Sequence, residues 1–131
     1  MPKQAIYSPK VHRATAPLAH AVRTGHLVFV SGIPPFGPDG KVVRGDFAAQ
    51  ARQCLTNVRH ILQEAGSGLE HVVKVNVFLD TRGDFEELNA IYREFFGDEP
   101  AQWPARTTVE ARLPRKEFLL EIECVAEVAA P

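Results

Sequence analysis

The 131 residues make about one average domain, and 45% hydrophobic with 24% charged residues is the usage of a chain that folds around a small core, not of a disordered one. Fifteen Lys and Arg against sixteen Asp and Glu leave a net charge of -1, which removes any global attraction to nucleic acid or an anionic membrane. No apolar run nears the ~20 residues of a bilayer span, and Met1 to Lys10 lacks the apolar core of a secretory signal, so the expectation is one cytoplasmic domain over residues 1–131 with no membrane partner.

The first sixteen residues read as an extended arm with a short strand near Ala5 to Tyr7. Ala21 to Arg23 and His26 to Ser31 flank Thr24-Gly25 as strand, turn and strand. Gly32 to Gly40 then holds three prolines and three glycines, a composition that neither helix nor central strand tolerates, so this is a loop directly after a core strand. From Phe47, apolar residues recur at helical spacing through Ala51, Cys54, Leu55, Val58, Ile61 and Leu62, with Asp46 placed to cap the start and Gly66 to end it. Val73 to Leu79 alternates as a strand with two different faces. Asp84 and Glu87 have capping-box spacing before the stripe Phe85, Leu88, Ile91, Tyr92 and Phe95, and Gly97 and Pro100 stop this second helix.

The remainder reads as a strand from Thr107 to Leu113, a turn at Pro114-Arg115-Lys116 and a long strand from Phe118 to Val128. On that last strand Leu120, Ile122, Cys124, Ala126 and Val128 share one face, and Leu119, Glu121, Glu123, Val125 and Glu127 the other. The order of elements predicts an α+β fold, a mixed β-sheet with two helices packed on one face. The other face needs a cover, and with Val28, Val30, Phe78, Val109 and Val125 as its expected residues, self-association into a closed ring is the physical expectation.

Cys54 and Cys124 fall inside apolar segments without metal or redox spacing, and the five histidines form no HExxH pattern, so no metal site is expected. Arg106 follows Trp103-Pro104-Ala105, a proline-set segment that delivers a guanidinium to the start of a strand. Such a fork binds a carboxylate through two parallel hydrogen bonds, although an isolated arginine more commonly pairs with a surface acid. Glu121 has Glu123 about 7 Å away on the same face, and like charge with partial burial raises a carboxyl toward neutral pH, where it acts as acid or base. The alternative is the solvated face of an edge strand.

Taken together, Val28-Phe29-Val30-Ser31-Gly32, Gly45-Asp46, Ala65-Gly66, Asn89, Tyr92, Phe95-Phe96, Pro104-Ala105-Arg106-Thr107-Thr108-Val109, Leu113-Pro114 and Glu121-Ile122-Glu123 resemble the Rid (YjgF/YER057c/UK114) family in order and spacing from about residue 5 onward. The resemblance implies a chorismate-mutase-like fold, a barrel-forming homotrimer with clefts between subunits, and cofactor-independent hydrolysis of enamines and imines such as 2-aminoacrylate to a 2-keto acid and ammonia. It implies that Arg106 grips the substrate carboxylate and Glu121 positions the water. Ser31 and Asn89 would line the cleft, and backbone groups near Thr107 and Thr108 would orient substrate or water.

The chain departs from that family at Leu18, where a tyrosine is usual, and at Ile33, where glutamine is common; both make the expected pocket more apolar. Two readings follow: a deaminase with a different side-chain preference, for a larger or unsaturated enamine such as 2-aminomuconate, or a hydrolytic or ligand-sensing role of another kind. His20 is a further polar group for the cleft, against a plain arm histidine. A metabolite-binding module using the same cleft without turnover is the non-enzymatic alternative. RNA cleavage ranks last, because Arg112, Arg115 and Lys116 make only a small basic cluster with no interleaved aromatics.

Overall fold

A computed structural model describes residues 2–129. Strand β1 (Gln4–Ile6), β2 (Ala21–Thr24) and β3 (Leu27–Ile33) precede helix α1 (Phe47–Glu64); β4 (Val72–Leu79), α2 (Phe85–Phe96), β5 (Ala105–Glu110) and β6 (Leu120–Glu127) follow. They build one six-stranded sheet in the order β1-β2-β3-β6-β4-β5, antiparallel except for the parallel pair β4 and β5. The expected α+β architecture is the one observed.

Local chemistry accounts for most boundaries. Thr24 pairs with Leu27 across a two-residue turn in which Gly25 takes φ 59°, a region open to glycine at little cost. Asp46 caps α1 by accepting a hydrogen bond from the Ala49 amide at 3.0 Å, and Gly66 ends it with φ 83°. The capping box expected at Asp84 is not formed. A short 3₁₀ turn over Arg82–Asp84 precedes α2, its cap is Thr81 accepting from the Gly83 amide at 3.2 Å, and Asp84 lacks the extended backbone that would aim its carboxylate at the helix. The strand expected over Thr107–Leu113 runs instead from Ala105 to Glu110, because its partner β4 spans only Val72–Leu79 and pairing stops at Leu79.

The core lies between the helices and one sheet face. Val28, Val30 and Ile33 of β3, Val75, Val77 and Leu79 of β4, and Leu120, Ile122, Cys124 and Ala126 of β6 pack with Leu55, Ile61 and Leu62 of α1 and Leu88, Ile91 and Tyr92 of α2. Each such Leu or Ile contributes about 1.5–3 kcal/mol by leaving water. Val28 and Val30 were expected on the uncovered face; they are core residues, because β3 pairs with β6 as Val28 to Ala126 and Val30 to Cys124, and those partners face the helices. Phe29, between them, takes the uncovered face and is 45% exposed. There it joins Val109, 43% exposed, and the half-buried Phe78 and Val125. The sheet therefore presents an apolar face that no element among the described residues covers.

Candidate active site

Glu121 and Arg106, the two residues expected to do the chemistry, lie on opposite faces of the sheet. Across the strands, Val109, Phe78 and Glu121 form one row on the open face, whereas Arg106, Val75 and Cys124 form a row three residues away on the helix side. A single chain thus offers two half-sites.

The first half-site surrounds Glu121. Its carboxylate lies over Gly32, so close that a Cβ built there would sit 2.8 Å from Oε1; a glycine at the β3 bulge makes the room. The adjoining cavity has a volume of about 330 Å³, and its walls include Val11, Leu18, Ile33, Phe36 and Phe118. Burial, and secondarily the charge of Glu123, hold the Glu121 carboxyl above the usual carboxylate range. Leu18 stands exposed at the wall of this cavity, while Ile33 is 3% exposed and belongs chiefly to the core. Ser31 donates its hydroxyl hydrogen to the Ala19 carbonyl at 2.6 Å, so it holds the segment that carries Leu18. His20 is not an arm histidine in solvent: it borders this cavity, with both ring nitrogens engaged by the chain itself. It is buried, its Nδ1 accepts from the Ser8 amide at 3.0 Å, and Nε2 lies 3.1 Å from the His12 carbonyl oxygen. Those partners require the neutral ring protonated on Nε2, in keeping with a pKa that burial lowers.

The second half-site surrounds Arg106. Its Nη2 donates to Asn89 Oδ1 at 2.7 Å, and the guanidinium lies 4.8 Å from the ring centre of Tyr92 and 5.6 Å from that of Phe85. Asn89, Tyr92, Trp103 and Pro104 border the open cleft above it. Of the two threonines that follow, Thr107 is on the open face, where its hydroxyl accepts from Lys74 Nζ at 2.7 Å. Thr108 is on the helix side with a buried hydroxyl that lacks a partner among the described residues. Strand β5 is a sheet edge whose alternate residues turn their backbone groups to β4, as the Ala111 amide does to the Leu79 carbonyl, so of the two threonines Thr108 has its backbone N–H and C=O open to a ligand or a second chain.

Sequence reasoning missed Tyr92 and Gly32. Tyr92 is one helical turn beyond Asn89, so the two share a face, but only its contact with the Arg106 strand gives it significance. The small basic cluster expected at Arg112, Arg115 and Lys116 is extended by residues distant in sequence: Lys41 and Arg44 join Arg115 and Lys116 around a separate open cavity beside Gln50.

Residues 9–128 match the family model described as Endoribonuclease L-PSP. The chain belongs to the Rid (YjgF) family. Among relatives of this Rid chain, a protein named RutC family protein from Pyrococcus abyssi is 39% identical over 128 residues, covering 96% of this chain and 98% of that one. The 2-iminobutanoate/2-iminopropanoate deaminase of Escherichia coli K12 is 42% identical over 114 residues, 86% of this chain and 88% of that one. The crystal structure of E. coli TdcF with bound serine superposes with a TM-score of 0.88 at 34% identity, covering 96% of this chain and 99% of that one.

Proposed function

We propose that this protein is a cofactor-independent hydrolase of the cytoplasm that converts carboxylate-bearing imines and enamines to the 2-keto acid and ammonia. Its unit is a ring of three copies, with each site built from Arg106 of one copy and Glu121 of the next. The observation that carries the reading is Glu121: a half-buried carboxyl, raised in pKa, fixed over a glycine at the wall of a largely apolar cavity. An imine carbon is already electrophilic, so the enzyme must fix the carboxylate, aim one water and move protons. Arg106 binds the carboxylate. Glu121 takes a proton from the attacking water as the C–O bond forms and passes it to the nitrogen, giving the carbinolamine; the hydroxyl proton then moves through Glu121 to that nitrogen as the C=O bond forms, the C–N bond breaks and ammonia leaves.

The opposite-face arrangement of Arg106 and Glu121 supports a site shared between copies, and the uncovered apolar face of Phe29, Phe78, Val109 and Val125 supports the association that forms it. Ser31 and Asn89 hold the two half-sites, Thr108 offers edge-strand backbone groups beside the Thr107 hydroxyl, and Leu18 and Ile33 make the wall toward the substrate side chain. That wall favours 2-aminoacrylate and 2-iminobutanoate types, or a larger unsaturated enamine such as 2-aminomuconate, over polar side chains. The relative named as a 2-iminobutanoate/2-iminopropanoate deaminase supports the reaction class.

The test generates 2-aminoacrylate and 2-iminobutanoate in situ with a dehydratase and follows keto-acid formation with the native protein and Arg106→Ala, with 2-aminomuconate as a third substrate. Acceleration by the native protein alone is expected. No acceleration on any of the three, with saturable carboxylate binding retained, would make the protein a metabolite-binding module.

A further inference from the structure

Arg106 combines a side-chain amide acceptor with two aromatic faces, where Arg13 and Arg59 each lie over one ring and Arg23 donates to a backbone carbonyl. Arg52 pairs with Glu94, Arg93 with Asp98 and Arg115 with Glu117, but among the described residues Arg106 is in no ion pair. Its contacts are an amide oxygen, at 2.7 Å, and the faces of two aromatic rings. Two of these three come from one turn of α2, where Asn89 and Tyr92 are three residues apart and face β5 together. Tyr92 is 6% exposed and stacked on Phe96 with ring centres 4.4 Å apart, which fixes the plane it offers to the guanidinium. Its hydroxyl is buried and has no hydrogen-bond partner among the described residues, so the ring face is what Tyr92 contributes here.

We propose that Asn89 and Tyr92 form a neutral cradle: they fix the direction of the Arg106 guanidinium while leaving its positive charge uncompensated and available to a substrate carboxylate. Tyr92 is a positioning residue in this scheme, acting through Arg106. A carboxylate in the place of Asn89 would orient the guanidinium with a stronger, charge-assisted bond, but it would then compete with the substrate for the same donors. A ring quadrupole within 6 Å of its centre attracts the cation without presenting a rival acceptor. The inference rests on the reading of Arg106 as the carboxylate-binding group.

The experiment measures binding of 2-oxobutanoate, a keto-acid product, to the full-length protein by calorimetry, alongside KM and kcat for imine hydrolysis. Tyr92→Phe keeps the ring face, and its affinity stays within about threefold of native. Tyr92→Leu keeps apolar volume without the quadrupole and binds about tenfold more weakly, with KM rising and kcat little changed. Asn89→Asp is isosteric, preserves the contact and binds about tenfold more weakly or worse, because the new charge occupies Arg106. This second variant stands if the leucine variant fails to fold. Native affinity in folded Tyr92→Leu, or in Asn89→Asp, overturns the cradle while leaving Arg106 as the binding group. Absence of keto-acid binding by the native protein overturns both.

Discussion

Replacing Gly32 with alanine perturbs Glu121 and little else. Gly32 is not among the glycines with positive φ, so alanine can adopt its backbone, and the effect is steric. The added Cβ would meet Oε1 of Glu121 at 2.8 Å, where ordinary contact is 3.4–4 Å, so the carboxylate must retreat by roughly 1 Å. The atom that moves is the far end of a flexible side chain, which keeps the stability cost at about 1 kcal/mol or less. A reacting group displaced by ~1 Å, however, loses about 100-fold in rate. Gly32→Ala is therefore expected to lower kcat for imine hydrolysis by about 10- to 100-fold while its melting temperature stays within about 5 °C of native. Native kcat in the variant would refute the assignment of the water to Glu121 in this position.

Glu121→Gln removes a carboxyl whose folded pKa lies above its unfolded value, so in the native protein stability is fully present below the ordinary carboxylate pKa and declines as pH rises through the folded value. The glutamine variant should melt higher than native at pH 7, lose that advantage near pH 4, and have little deaminase activity; melting curves across pH check the sign. His20 gives the opposite slope: burial depresses its pKa, the bond to the His12 carbonyl opposing and the charge of Arg13 adding to the effect, so stability is present above 6.5 and lost as pH falls through the folded value. The acid-side loss in the native protein's melts should shrink in His20→Gln. Gln50, buried on α1, donates to the carbonyls of Val43 and Glu117 and accepts from the Leu119 amide, tying two loops to the helix. Gln50→Leu leaves those groups unpaired and should cost about 2–4 kcal/mol in urea unfolding.

Sequence was most informative where one period dominated. The stripe from Phe47 to Leu62, bounded by Asp46 and Gly66, named α1 because spacing and both termini agreed. It was silent where neighbouring residues are all apolar: in Val28-Phe29-Val30 alternation alone cannot say which parity faces the core, and pairing with Ala126 and Cys124 decides it. The face of Glu121 within β6 could be read from parity, but the opposite placement of Arg106 depends on the parallel register of β5 against β4, which loop lengths do not encode. Asn89 was legible as a residue of interest through family resemblance alone; its bond to Arg106 joins positions 17 apart on a helix and a strand. Tyr92 looked like one more core aromatic, and its burial bears that out, yet its face is turned to a cation.

The most direct test of a site shared between copies is complementation. Arg106→Ala and Glu121→Ala proteins, each inactive alone, are mixed unfolded at equal concentration and refolded together, and keto-acid formation is measured. A site that takes Arg106 from one copy and Glu121 from the next predicts that about a quarter of native activity returns, the share of interfaces that receive both intact residues in a randomly mixed closed ring. A mixture as inactive as its components, with the rings reassembled, would contradict the shared site.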